Sequence, residues 1–124
     1  MTTPRNHTQT LGQQGEQAVT QWLIARHFTI LVQNYRTKAG EVDVIARKGE
    51  LIVFVEVKTR STAYFATSTV VTYGKQKKIG RAVQHFVLQN RLFDHVLRFD
   101  VATLIRQPDG SFSIEYIENA FVPE

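Results

Sequence analysis

The sequence lacks several features that would define common protein classes. It has no cysteine, which excludes disulfide bonds and thiolate metal sites and is compatible with a reducing cytosol, so we expect a cytoplasmic protein. No apolar run approaches the length that spans a bilayer, and Met1–Gln9 has no apolar stretch typical of a signal peptide, so we expect no membrane partner. The sequence also lacks the glycine-rich loops that bind phosphate or dinucleotides. It has no serine in a nucleophile elbow. The histidines show no metal-site spacing; they are His7, His27, His85 and His95.

Length and charge set the next limits. A chain of 124 residues fits one compact domain over positions 1–124, with Met1–Gln9 as a flexible N-terminus. The net charge of +4 favours a polyanionic partner such as nucleic acid, but on charge alone a basic protein without a special partner fits equally well. The position of the charges along the chain is therefore more informative than their sum.

Apolar spacing and turn signals predict the element order α-β-β-β-α-β-β, an α/β fold with a mixed sheet flanked by helices. The Ser/Thr-rich connection 61–72, with Tyr64 and Phe65, is longer than a usual loop. The predicted helices are 10–26 and 74–90, and the predicted strands are 28–35, 41–47, 51–60, 96–106 and 112–117.

Two predicted strands carry charged pairs inside apolar sequence. Glu41 and Asp43 lie two residues apart, as do Glu56 and Lys58, and residues i and i+2 of a strand point to the same face. Such charges are costly to desolvate unless something pairs with them. A divalent metal and a phosphate would do so, which is the outline of a metal-dependent nuclease site.

The turn between these strands predicts their register. A two-residue loop at Lys48 and Gly49 makes a β-hairpin in which Arg47 opposes Glu50. The four charged side chains then converge on one face, because a loop of even length preserves the faces and an odd one inverts them. The opposite face is predicted to consist of Val42, Val44, Ala46, Leu51, Val53, Val55 and Val57.

Each residue of this group has a predicted role. Asp43 and Glu56 hold Mg²⁺, which needs only one or two carboxylates beside water and substrate phosphate, and the backbone carbonyl of Val57 adds a ligand. Lys58 orients or helps to deprotonate the attacking water and stabilises the developing charge. The structural alternative is a surface hairpin with cross-strand ion pairs, but 51–57 is nearly continuous apolar sequence, typical of a strand buried on both sides.

Three further acids have open or structural roles. Glu41 is either another metal ligand or a residue that shapes the strand entrance. Glu16, near the buried edge of the first helix, either reaches the metal cluster or is an acid favoured by the helix dipole. Asp100 follows Arg98 by two residues in an apolar strand, and we interpret the two as a structural pair.

The second helix carries a basic stripe that begins at its N-terminus, where phosphates bind well. Acids are absent from Thr67 to Leu92, which favours phosphate contact over a merely solvated helix face. Gln76 is placed to touch the metal site or a phosphate, and Arg60 extends the surface. The predicted nucleic-acid-binding residues are Lys75, Gln76, Lys77, Lys78, Arg81 and Arg60, with His85 further along the stripe.

These motifs, over most of the chain, resemble the YraN family of small bacterial proteins. The matching segments are 15–16, 34–36, 40–46, 54–60, 75–78, 98–101 and 118–121. That family is similar to the PD-(D/E)XK nucleases, which have the restriction-endonuclease-like fold and include archaeal Holliday junction resolvases. Val42 stands where the superfamily name has proline, and 66–74 lacks the glycine and proline expected before Gly74.

The resemblance implies a nuclease core with Asp43, Glu56 and Lys58 as motif residues and Glu16 as a helix-borne acid. It further implies Mg²⁺ or Mn²⁺ as cofactor and a homodimer. We therefore expect an endonuclease that hydrolyses phosphodiester bonds in DNA, including branched or Holliday-junction DNA. The alternatives are a catalytically silent nucleic-acid-binding protein with a nuclease fold, and an RNA endonuclease, since no 2′-hydroxyl-reading motif is evident.

Overall fold

The computed structural model describes residues 9–61 and 71–123. Its order of helix, three strands, helix and two strands confirms the predicted α/β class, and each predicted element is present with its ends displaced by at most one residue. The predicted flexible N-terminus, apart from Gln9, and most of the 61–72 connection lie outside the described residues. The elements are α1 (Leu11–Ala25), β1 (Thr29–Arg36), β2 (Glu41–Lys48), β3 (Leu51–Arg60), α2 (Tyr73–Asn90), β4 (Val96–Arg106) and β5 (Phe112–Ile117).

The strands form one mixed sheet in the order β1-β2-β3-β4-β5. Neighbours are antiparallel except β3 and β4, which run parallel and are connected through α2. Strand β3 is central and is buried from Ile52 to Val57, as its continuous apolar sequence predicts. Neither helix among the described residues is long and apolar enough to cross a lipid bilayer.

A helix covers each face of the sheet, giving three layers. Val19 and Leu23 of α1 pack on one face in a core with Val44, Val53 and Val55. The other face packs against α2, where the buried side chains include Ile79, Ala82, Val83 and Phe86 of the helix and Ile52 and Phe54 of the sheet. Burial of apolar surface on both faces is the main force that fixes the helices on the sheet.

Both helices begin near the C-terminal end of β3, where two glycines permit close approach. A Cβ atom at Gly15 of α1 would collide with the side chain of Thr59 on β3. A Cβ atom at Gly40, just before β2, would collide with the main chain of Lys78 on α2. Because neither glycine has a Cβ, α1 and α2 enclose this end of the sheet from its two faces.

The hairpin between β2 and β3 differs in register from the prediction. The loop is Gly49 and Glu50, so Lys48 pairs with Leu51 and Arg47 with Ile52, and the predicted pair of Arg47 with Glu50 is wrong. Gly49 has φ of 61°, and a glycine at the first loop position suits a two-residue hairpin. The predicted loop would instead have favoured a positive φ at Lys48, which is unfavourable for a side chain with a Cβ. The loop length is nevertheless even, as predicted.

The predicted face of Val42 is also wrong. Val42 packs with Ile45 in the core under α2, whereas Val44 belongs to the core under α1. Strict alternation therefore fails at Asp43, between these valines. On the neighbouring strand, Asn34 has φ of 54°, and such a left-handed residue disrupts the regular alternation of a strand.

Candidate active site

Asp43 and Glu56 lie side by side where the pairing of β2 with β3 ends. The last regular pair is Val44 with Val55, so these two acids follow immediately on their strands. The backbone amide of Val57 donates a 2.8 Å hydrogen bond to Oδ2 of Asp43. The two carboxyl groups are close enough to influence each other's ionisation. The structure therefore brings together the two acids predicted as metal ligands, through a register that moves Glu56 opposite Asp43 rather than Glu41.

The Glu56 side chain is only 5% exposed, and its carboxylate forms an ion pair with the ammonium group of Lys75 on α2. The Lys75 side chain is 38% exposed, so its ammonium group contacts the buried Glu56 carboxylate from the solvent side of the site. The charge pattern of α2 predicts nucleic-acid contact for Lys75 and does not indicate this ion pair with Glu56. The one available signal was its location in the first turn after the connection from β3, the strand that carries Glu56.

Burial disfavours the ionised form of both carboxyl groups and therefore raises their pKa values. Burial, and after it the charge of Asp43, raise the pKa of Glu56 to about 7 against the opposing effect of Lys75. Burial also raises the pKa of Asp43 above its usual range, and the hydrogen bond from Val57 counteracts part of this effect. A buried carboxyl pair of this kind is stabilised by a proton or by a cation.

Glu16 and Glu41 stand at the edge of this pair. Glu16 of α1 is partly buried; burial and then the charge of Asp43 raise its pKa, while the Asn34 side chain opposes the shift. The Glu41 side chain is 55% exposed and lies 3.9 Å from Arg36. The charge of Asp43 thus acts on Glu16, whose role as a helix-borne acid of the site stays a prediction, and Glu41 lies at the solvent side of the site.

Lys58 lies two residues beyond Glu56 on β3, opposite Thr103 of β4. Because i and i+2 share a face of a strand, it follows Glu56 on the α2 side of the sheet. Lys58 is partly buried, and within 9–61 and 71–123 its ammonium group forms no ion pair. Its predicted role with the attacking water stays a prediction.

A cleft of about 720 Å³ opens at the acid pair and has a predominantly basic rim. Its walls come from the 36–41 segment and from the first turns of α2. The lining residues are Arg36, Thr37, Lys38, Ala39, Gly40, Glu41, Asp43, Glu56, Thr72, Gly74, Lys75, Lys78 and Ile79. Acids at the bottom and cations at the rim suit an anionic substrate that also needs a bound cation.

The residues predicted to bind nucleic acid differ in their exposure and their contacts. Lys77, Lys78 and Arg81 are exposed, whereas the amide of Gln76 donates to the carbonyl oxygen of Val71 at 3.3 Å. His85 Nδ1 lies 2.6 Å from the Tyr35 hydroxyl. Arg60, at the end of β3, donates to the carbonyl oxygen of Thr59 at 3.2 Å and does not line the cleft.

The donor set limits the kind of metal site available here. Within the part of the chain that the structure describes, no three or more His, Cys, Asp or Glu side chains are grouped so as to hold a metal ion. The close carboxylates are two, Asp43 and Glu56. Two carboxylates completed by waters and substrate oxygens fit Mg²⁺ or Mn²⁺, which favour oxygen ligands, and do not fit a closed structural zinc site.

Asp100 has a structural role, as predicted. It is fully buried on β4 and accepts hydrogen bonds from Arg98 at 3.0 Å, from the Tyr116 hydroxyl at 2.6 Å and from the Asn119 amide at 2.9 Å. These contacts tie β4 to β5 and to the segment after it. A buried carboxylate with three donors is fully compensated and needs no ligand.

Comparison with known proteins gives a consistent family relationship. The model of the uncharacterised protein family UPF0102 matches residues 15–104. A UPF0102 protein of Geotalea daltonii is 43% identical over 119 residues, covering 94% of this chain and 93% of the relative. Another from Alkaliphilus oremlandii is 44% identical over 114 residues, covering 90% and 97%. A third, from Alkaliphilus metalliredigens, is 40% identical over 115 residues, covering 92% and 99%.

Proposed function

This chain belongs to the UPF0102 (YraN) family, and we propose that it is a metal-dependent endonuclease that hydrolyses phosphodiester bonds in DNA. The observation that carries the proposal is the adjacent pair of acids, partly buried Asp43 and buried Glu56, at the bottom of a basic cleft. Catalytic sites are where burial and like charges commonly shift carboxyl pKa values in this way. The cleft rim supplies cations for a phosphate backbone.

In this proposal, Asp43 and Glu56 hold Mg²⁺ or Mn²⁺, with the Val57 carbonyl and Glu41 as further candidate ligands. When bound, the cation would acidify a water molecule and neutralise charge on the scissile phosphate. Lys58 orients the attacking water oxygen towards phosphorus and stabilises the charge that develops as the phosphorus–oxygen ester bond breaks. Glu16 acts on the site from α1 through its electrostatic coupling to Asp43.

The substrate is held through its backbone. Lys77, Lys78 and Arg81 are exposed along α2, and such contacts position a nucleic acid without reading its sequence. The similarity to Holliday junction resolvases supports branched DNA as the substrate structure. It also supports a homodimer, because two copies would bring two sites to opposite strands.

A nucleic-acid-binding protein that does not cut is the second candidate function. Two observations favour it: the grouped carboxylates are only two within 9–61 and 71–123, and a lysine already pairs with one of them. RNA is the other candidate substrate, since contacts to phosphate do not distinguish it from DNA.

The test is a cleavage panel with four-way junction, flap, single-stranded and duplex DNA, and with single-stranded RNA. Each substrate is incubated with the wild type and with Asp43→Asn, in Mg²⁺, in Mn²⁺ and in EDTA. The proposal predicts cutting that requires the metal and disappears in the variant, with a DNA junction cut fastest. Binding without cutting of every substrate in both metals would favour the second candidate function, and preferential cutting of RNA would change the substrate class.

A further inference from the structure

Lys75 occupies an unfavourable position for a lysine. It is the third residue of α2 after the N-cap Thr72, whose side chain accepts a 3.3 Å hydrogen bond from the Lys75 amide. A cation in the first helical turn is opposed by the helix dipole, and glutamate or glutamine is the usual residue at this position. Helix stability therefore does not explain the lysine.

The acid pair does explain it. The Lys75 ammonium contacts the Glu56 carboxylate and also acts electrostatically on Asp43. One positive charge thus compensates two carboxyl groups, one buried and one partly buried, which repel each other when both are ionised. Lys75 supplies, from the protein itself, the compensation that a bound cation would otherwise give.

We propose that Lys75 is a built-in counter-ion of the Asp43–Glu56 pair, that a divalent cation displaces it, and that the released ammonium group then binds substrate phosphate. The inference rests on the proposed function, because it assumes that the acid pair takes a metal. It makes metal binding and phosphate binding interdependent at one side chain.

Charge and geometry support the exchange. A divalent cation brings twice the charge of an ammonium group to the same carboxylates and repels Lys75 at short distance. The lysine has a flexible four-carbon stem and a partly exposed side chain, so it is able to leave without movement of α2. Lys75 already lines the basic cleft beside Lys78 and Lys38, where a phosphate would be held.

The first test is Mn²⁺ binding by isothermal titration calorimetry, without nucleic acid, at neutral pH. Lys75→Met removes the competing charge and is expected to tighten Mn²⁺ binding roughly tenfold, equivalent to about 1.4 kcal/mol. Lys78→Met is the matched control, because it removes an equal charge one turn along the same helix. We expect it to change the affinity less than about threefold, since a more distant charge is better screened.

Equal effects of the two substitutions would overturn the counter-ion role while leaving the metal site intact. Mn²⁺ binding that Asp43→Asn does not weaken, or no binding by any variant, would overturn the metal site and the inference with it. Lys75→Arg keeps the charge and is expected to bind Mn²⁺ no more tightly than the wild type. This second variant, with circular dichroism on all of them, separates loss of competition from misfolding.

The second test measures binding of a labelled DNA junction in EDTA and in Ca²⁺, used as a divalent cation in place of Mg²⁺. We expect Lys75→Met to weaken DNA binding more in Ca²⁺ than in EDTA, because only the displaced ammonium group reaches phosphate. Lys78→Met should weaken binding similarly in both conditions. An equal loss for Lys75→Met in both conditions would contradict the release of Lys75 by the metal.

Discussion

The backbone amide of Val57 on β3 donates its hydrogen bond to the Asp43 side chain on β2, at 2.8 Å. The bond links the strands just beyond their last regular pair and leaves Asp43 beside Glu56. A ladder bond between main chains would not fix a carboxylate in this way. The end of regular pairing is therefore the structural feature that assembles the acid pair.

Substitutions at Asp43 should separate this structural role from the charge. Asp43→Asn retains an oxygen that accepts from the Val57 amide, whereas Asp43→Ala leaves the amide without its partner. We expect the free energy of unfolding of the asparagine variant to exceed that of the alanine variant by about 1–2 kcal/mol. Urea unfolding of both proteins measures the difference, and equal stabilities would mean that the bond does not anchor Asp43.

Gly40 should tolerate no side chain, because its Cβ would collide with the main chain of Lys78. We expect Gly40→Ala to lower the free energy of unfolding by about 1–3 kcal/mol, as overpacking usually does. Gly74→Ala is the control: its Cβ meets open space and lies in α2, so a gain of about 0.5–1 kcal/mol is expected. Thermal or urea unfolding tests both, and an unaffected Gly40→Ala protein would contradict the close approach of α2.

Glu56 should make stability fall as pH rises. Its pKa is raised from 4.5 to about 7 in the folded protein, so the folded state binds more protons than the unfolded state between these values. Its stabilising contribution is fully present below pH 4.5 and is lost as pH rises through about 7. Urea unfolding at a series of pH values, without divalent metal, should show a shallower decline over this window for Glu56→Gln. Parallel profiles for the two proteins would contradict the raised pKa.

The exposed cations of α2 should contribute to DNA affinity through phosphate contacts. Replacing Lys77, Lys78 and Arg81 by glutamine should weaken binding and reduce the slope of log affinity against log salt, by roughly 0.9 for each lost duplex contact. Arg26→Gln is the control, because Arg26 caps the far end of α1 and stacks on Trp22. Fluorescence anisotropy across a salt series tests this; equal slopes for the triple variant and the control would exclude the basic stripe as the binding surface.

The element order and the candidate acids were predictable because they depend on local patterns. Apolar spacing identified α2 and the buried strand β3, and the turn signal around Gly49 identified the hairpin. The even loop length predicted that Asp43 and Glu56 share a face, since it preserves the strand faces, whereas their adjacency depends on the observed register. Glu16 was proposed through its place on α1 and the family resemblance.

Features that depend on backbone conformation and tertiary contact were not predictable. The register moved by two residues because Gly49 takes the first loop position, which is a matter of φ. Val42 changed face where regular alternation fails next to Asn34, and no sequence signal marked that break. The pairing of Lys75 with Glu56 required the packing of α2 on the sheet, because the two residues are far apart along the chain.

The most direct test of a nuclease centre measures cutting and binding together on the best DNA substrate of the cleavage panel. Single-turnover cleavage in Mn²⁺ and affinity in Ca²⁺ are determined for the wild type, Glu56→Gln, Lys58→Ala and the control Arg26→Gln. We predict that Glu56→Gln and Lys58→Ala each lose at least about a hundredfold in cleavage rate, with DNA affinity changed little and the fold intact. Loss of binding and cutting together in folded variants, or undiminished cutting, would contradict a catalytic role for these residues.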